Sequence, residues 1–236
     1  MFRESPFPMY DHWSQQSPIR IHQDHSYFVP ALADPGYLRF EYDEPSYRGT
    51  FEGEAGHKNF VLDDPTGGAN SPAITFGKLR AELRKIHLHT PSEHDLEGKN
   101  HAGEIHLLHE IIGDFEKPPL LVLGTIFQLD THAAKGKRHP AFELWLAPQK
   151  GAAKKARTIN LHKLLPPEVG IPPQRNWYLY EGSLTSDPYT ENVTWIVFQG
   201  MLKIDSASLK LLRKHAHQPE RPPRPLNRRF VLRNFQ

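Results

Sequence analysis

Apolar residues along this chain fall in short runs, some alternating with polar residues and some continuous, and Pro and Gly interrupt them repeatedly. Alternation with a period of two belongs to strands buried on one face, and Gly and Pro mark the turns between them. The rhythm is that of an antiparallel β protein. Strands are expected over Tyr37–Tyr42, Lys58–Leu62, Arg80–His89, Ala102–His109, Leu120–Gln128, Trp177–Tyr180, Thr190–Phe198 and Phe230–Leu232. The first part of the Arg80 run also fits a helix from Lys78 to Lys85, which periodicity alone does not separate. Two segments read better as helices: Asp205 or Ser206 can cap a stretch carrying Leu209, Leu212 and Arg213, and Phe142–Ala147 fits a short one. No internal repeat and no long linker divides the chain. Residues 1–236 therefore read as one β-dominated α+β domain, with 1–14 a short irregular N-terminal segment.

Composition agrees with a folded domain. Hydrophobic residues make up 38% and charged residues 24% of 236, far from a disordered composition. With 29 basic and 27 acidic residues the net charge is only +2, which gives no reason to invoke nucleic acid or an anionic membrane. The one basic cluster, Arg221 to Arg229, is interleaved with Pro222, Pro223 and Pro225 and reads as a solvated extended edge segment. There is no cysteine, so a disulfide framework and a thiolate metal site are both excluded. Met1–Tyr10 lacks the apolar centre of a signal peptide and no run is long enough to span a bilayer. The cytoplasm is the expected location, with the periplasm or exterior the alternative if a leader has been removed.

The informative stretch is His87-Leu88-His89-Thr90-Pro91-Ser92-Glu93-His94, followed by Gly103-Glu104-Ile105-His106-Leu107-Leu108-His109. On a strand His87 and His89 share one face while Ile86 and Leu88 take the other. Sixteen residues separate His89 from His106, enough for a turn at Glu97-Gly98-Lys99-Asn100 and a returning antiparallel strand on which Glu104, His106 and Leu108 share a face. Three imidazoles converging from adjacent strands, with a fourth position open to water, make the pattern of a catalytic zinc site. Glu104 strengthens it, because a ligating imidazole usually donates its other N–H to a carboxylate or carbonyl. Fifteen histidines in one chain also produce a bare His-x-His pair by chance, so the pair alone would not carry the reading.

This stretch resembles the metal-binding hairpin of alpha-class carbonic anhydrases, above all the bacterial form His-x-His-Thr-Pro-Ser-Glu-His. Gln15-Gln16-Ser17-Pro18-Ile19, Gly182-Ser183-Leu184-Thr185, Val193-Thr194-Trp195-Ile196-Val197 and Pro225-Leu226-Asn227-Arg228 resemble further segments of that family, in family order. The resemblance implies a central, twisted, mostly antiparallel sheet of about ten strands and reversible hydration of carbon dioxide to bicarbonate and a proton by zinc-bound hydroxide. It makes His87, His89 and His106 the ligands of Zn2+ and Glu104 the acceptor behind His106. Thr185 would pass its proton to Glu93 and orient the nucleophile, and Leu108, Val122, Leu184, Val193 and Trp195 would form an apolar wall for the substrate. His57 aligns with the proton-shuttling histidine, a role imidazole suits because it titrates near neutrality. A weak esterase activity and inhibition by sulfonamides are further expectations of the resemblance.

Three departures qualify it. Lys85 stands where the family usually has Gln, which accepts from the first ligand's free N–H, and an ammonium has no acceptor. The segment before Gln-Ser-Pro-Ile is short, with Tyr10, His12 and Trp13 the candidates to replace its aromatic residues. Asp187 precedes Pro188 where Pro-Pro is common, which leaves the local turn and its peptide isomer open. Two other functions fit parts of the sequence: a non-catalytic carbonic anhydrase-like binding or storage protein, and a cupin-type metalloenzyme, whose glycine spacings do not match. Metal content and sulfonamide-sensitive hydration separate them.

Overall fold

A computed structural model describes residues 13–54, 57–63, 71–132, 139–146, 156–217 and 219–236. Tyr10, His12, Ala55, Gly56 and Ala147 lie outside these residues, as does all but the end of the 1–14 segment. The described strands build one mixed sheet of thirteen strands and a separate parallel pair, Arg20–Ile21 beside Asp95–Leu96. The centre of the sheet runs, neighbour to neighbour, through Asn59–Leu62, Leu79–His89, Gly103–Ile111, Leu120–Leu129, Val193–Phe198 and Trp177–Gly182. All of these pairings are antiparallel except that of Leu120–Leu129 with Val193–Phe198.

The Leu79–His89 segment is strand throughout, which settles the helix alternative for Lys78–Lys85. Its partners on both sides complete a ladder that an isolated helix would not have. A register shift between Leu83 and Lys85 marks a bulge just before the histidines, the local device that re-aims side chains on a strand. The expected eight strands are all present within a few residues at their ends. The additional ones are mostly short, such as Arg157–Ile159 at the sheet edge and Leu202–Ile204 beside the end of Leu120–Leu129. Asp205 caps the Ser206–Leu212 helix by accepting from the N–H groups of Ala207 and Ser208, as its position predicts. A single helical turn, Glu143–Leu146, follows the 3-10 turn Pro140–Phe142.

Alternation along the central strands sends side chains to two apolar layers. Ile86, Leu88, Ile105, Leu107, Leu121 and Leu123 enter the main core with Phe127, Phe142 and Trp145. Leu108, Val122, Ile126, Val193, Trp195 and Val197 enter a second, smaller cluster on the opposite face, with Leu184 against it. The histidines share this second face. Among the described residues no helix is long and apolar enough to cross a membrane.

The basic C-terminal segment departs from the solvated edge expected of it. Arg229 is buried, and its guanidinium donates to the carbonyls of Gln16, Glu181, Pro225 and Leu226. Arg221 likewise donates Nη1 to Ser17 O at 2.7 Å. A guanidinium with five donors can tie an irregular segment to several unpaired carbonyls at once, which a charge count along the sequence does not reveal.

Candidate metal centre

The hairpin closes as its sequence predicts. Glu97 and Gly98 both take positive φ, 55° and 75°, and Leu96 and Lys99 exchange backbone hydrogen bonds across them. Two successive left-handed residues make a type I′ turn, whose twist suits antiparallel strands. The two long strands then pair with His87 opposite His106 and His89 opposite Glu104. This register puts three imidazoles side by side on one face.

Their ring centroids are 4.7–5.1 Å apart and their planes cross at 49° to 88°. Nδ1 of His106 lies 3.2 Å from Nε2 of His87. Two nitrogens bound at about 2.0–2.1 Å to one tetrahedral zinc stand roughly 3.3–3.4 Å apart, so this pair already has the spacing of co-ligands. Both ring nitrogens of His89 are buried without a hydrogen-bond partner among the described residues. Burial, followed by the neighbouring imidazoles, holds His87 and His89 well below the usual histidine range. They are neutral at pH 7, the state a metal ligand requires. Donor atoms of His89, Glu93 and His106 all lie within 4.8 Å of one another, as do those of His87, His89 and His217 and those of His94, Glu104 and His106.

Glu104 is fully buried behind this group, accepts three hydrogen bonds and faces a fourth nitrogen. Its Oε1 takes His94 Nδ1 at 2.7 Å and stands 3.2 Å from His106 Nε2, while Oε2 accepts from the backbone N–H groups of Glu93 and His94. Burial alone would raise its pKa, but His94 and His106 and their hydrogen bonds outweigh that and hold it well below the carboxylate range. A proton on Nε2 of His106 facing this carboxylate leaves Nδ1 bare toward His87. The network continues from His94 Nε2 to the Tyr180 hydroxyl at 2.6 Å, and from there to Ser17 Oγ at 3.0 Å. No sequence pattern marks His94 or Tyr180 for this role, although Glu93-His94 stands in the motif itself.

Glu93 is buried, with Oε2 3.3 Å from His89 Nε2. Its Oε1 accepts the Arg221 backbone N–H at 3.0 Å, and the half-buried Thr185 hydrogen-bonds the same carboxyl. Burial pushes this carboxyl up to about 8 against the pull of those two bonds. A positive charge among the imidazoles would oppose that rise. The Asp187–Pro188 peptide just beyond Thr185 is cis.

Leu108, Val122, Leu184, Val193 and Trp195 all belong to the smaller apolar cluster, and the Trp195 ring packs 4.8 Å from that of His106. His57 is exposed, its ring 5.5 Å from that of His217. His217 is the residue missed outright. It is buried and lies against both His87 and His89. A signal was available, since His215-Ala216-His217 is a second His-x-His pattern. Lys85 offers His87 nothing to accept its proton, and Nδ1 of His87 is buried without a hydrogen-bond partner among the described residues.

A family model described as eukaryotic-type carbonic anhydrase matches residues 6–235. Alpha carbonic anhydrase 7 of Arabidopsis thaliana is 34% identical over 67% of this chain and 55% of its own length. The chain spans a little over half the length of the curated relatives that it matches first, 55–57%. Among solved structures, the Photobacterium profundum alpha-carbonic anhydrase superposes with a TM-score of 0.69 at 28% identity, covering 93% of this chain and 89% of that one. The alpha-carbonic anhydrase from Thermovibrio ammonificans, solved with the inhibitor sulfanilamide, gives the same TM-score and identity over 92% and 86%.

Proposed function

Because the chain belongs to the eukaryotic-type carbonic anhydrase family, we propose that it hydrates carbon dioxide reversibly to bicarbonate and a proton, using a zinc ion held by His87, His89 and His106. The observation that carries this reading is the 3.2 Å approach of His106 Nδ1 to His87 Nε2, at co-ligand spacing and with ring planes 88° apart. A lone pair lies in the plane of its ring, so crossed planes let neighbouring nitrogens aim at one point. When bound, zinc supplies Lewis acidity that brings the pKa of a water far below its bulk value, to about 7, a figure for which carbonic anhydrase is itself the standard example.

The chain's own residues then do five things. The neutral imidazoles bind without cancelling positive charge, and Glu104 fixes the His106 tautomer. Thr185, whose hydroxyl proton is directed to Glu93, is left with only lone pairs for the reacting water, which orients that water's oxygen toward the substrate. Glu93 is held for this by the Arg221 N–H. Leu108, Val122, Leu184, Val193 and Trp195 offer carbon dioxide a dry surface beside the imidazoles. His57, which is exposed, carries the proton out to buffer.

The test measures zinc content and carbon dioxide hydration on one sample, with His106→Ala as control. About one zinc per chain and sulfonamide-sensitive hydration are expected of the parent, and loss of both in the variant. A variant that hydrates as fast as the parent overturns the reading. A parent that binds zinc without hydration points instead to a binding or storage role.

A further inference from the structure

His87 differs from His106 in having no carboxylate behind it. Glu104 stands behind His106, whereas Nδ1 of His87 is buried with no partner among the described residues, and the half-buried Lys85 two residues earlier can only donate. What the ring does have is a face-on neighbour. The His217 ring lies 4.4 Å from it at an interplanar angle of 16°, the only near-parallel pairing in the histidine group around it.

His217 is itself pinned from two sides. Its backbone N–H donates to Leu88 O at 2.7 Å, which ties it to the strand between the two proposed ligands. Its Nε2 donates to Lys58 O at 3.1 Å, which ties the ring to the neighbouring strand region. With 8% of its surface exposed, the ring has little freedom to turn. It therefore presents a fixed flat face to His87 whether or not a metal is present.

Distance alone would also admit His217 as a ligand, since a donor atom of it lies within 4.8 Å of those of His87 and His89. The ring planes exclude sharing one ion with His87. Each lone pair points along its own ring plane, and two stacked planes 16° apart do not meet at a point about 2.0–2.1 Å from a nitrogen of each. His87 with His106, at 88°, meets that condition easily.

We propose that His217 is a positioning residue: its stacked ring holds His87 at the metal-binding angle, in place of the hydrogen-bond acceptor that Lys85 does not provide. This rests on the zinc reading above and adds to it a residue that touches the ligand and not the metal.

The test is zinc affinity of the stripped protein, read by competition with a chromogenic chelator, in the parent and in His217→Phe, His217→Leu and His217→Ala. Phe keeps the flat face and loses both nitrogens, and Leu fills the volume without a face, so folding is protected in both. Affinity roughly 10- to 100-fold weaker is expected for Leu and Ala, the range seen when support behind a ligand is removed, while Phe stays within about threefold of the parent. Adding Lys85→Gln to His217→Leu, which supplies the missing acceptor, should recover part of the loss. A Leu variant as tight as the parent overturns the proposal, and so does a Phe variant as weak as Leu, which would mean that a nitrogen of His217 and not its face is used. A parent that takes up no zinc sinks the zinc reading and this inference together, whereas a zinc-binding parent matched by its Leu variant sinks this inference alone.

Discussion

A Cβ placed on Gly124 would stand 2.7 Å from Oε1 of Glu104, the oxygen that faces both His94 and His106. Gly124 lies directly opposite His106 in the antiparallel pair, so the missing side chain is what gives the carboxylate its room. Glu104 cannot swing aside, because two backbone N–H groups hold its other oxygen. Gly124→Ala is therefore expected to cost about 1–3 kcal/mol by overpacking and to weaken zinc binding roughly tenfold or more through the displaced support for His106. Urea denaturation and chelator competition read the two effects. An alanine variant equal to the parent in both would mean that Glu104 moves without consequence.

Thr185 carries a separate expectation. It is outside the proposed ligand set, so Thr185→Ala should retain zinc while kcat/KM for hydration falls by roughly 10²-fold, the size of effect that misorientation at a reacting centre produces. Thr185→Ser keeps the hydroxyl and should keep most of the activity. Stopped-flow hydration with metal analysis on the same preparations distinguishes an orienting hydroxyl from a packing methyl.

Much of this site was legible along the chain because a strand's period of two is unambiguous where polar and apolar residues alternate. His87 and His89 against Ile86 and Leu88, and Glu104 and His106 against Ile105 and Leu107, each fixed a face before any pairing was known. Glu97-Gly98 then closed the hairpin with the two positive φ angles that the turn requires. Where the pattern breaks, reading failed. Ala73–Phe76 is buried on both faces, so no contrast between a buried and an exposed face marks it as a strand. His217 and Arg221 reach the site from the far end of the chain, and no local periodicity reports a contact between residues more than a hundred positions apart. The tie from the Arg221 backbone N–H to Glu93 goes together with guanidinium hydrogen bonds from Arg221 and Arg229 that hold the C-terminal segment against the N-terminal one.

His57 makes a kinetic prediction. It is exposed and belongs neither to the imidazole trio nor to the Glu104 network. His57→Ala should leave zinc affinity unchanged while slowing hydration in dilute buffer, by roughly 10- to 100-fold if proton export limits turnover. High concentrations of an imidazole buffer should restore the rate, because a mobile base replaces the lost one. A variant that is equally fast in dilute buffer would remove His57 from the mechanism without touching the metal site.

The main-core face of the hairpin holds a histidine with a different consequence. His109 is fully buried, 2.9 Å from the Tyr42 hydroxyl, with Nδ1 directed at the carbonyls of Leu107 and Leu121. Burial drives its pKa from 6.5 down to about 3, against the pull of those two carbonyls. Between these values the unfolded chain binds a proton that the folded chain refuses, so stability falls as pH drops from about 6.5 toward 3 and is unaffected by this group above that window. At pH 4.5 the loss from this one residue amounts to about 2–3 kcal/mol, at roughly 1.4 kcal/mol per pH unit. His109→Gln keeps polar atoms in place and cannot titrate. It should be less stable than the parent at pH 7, where the packing and the Tyr42 bond are disturbed, yet lose less between pH 7 and pH 4.5. Urea midpoints at the two pH values check this, and equal acid sensitivity in parent and variant would mean that His109 is not a buried neutral group.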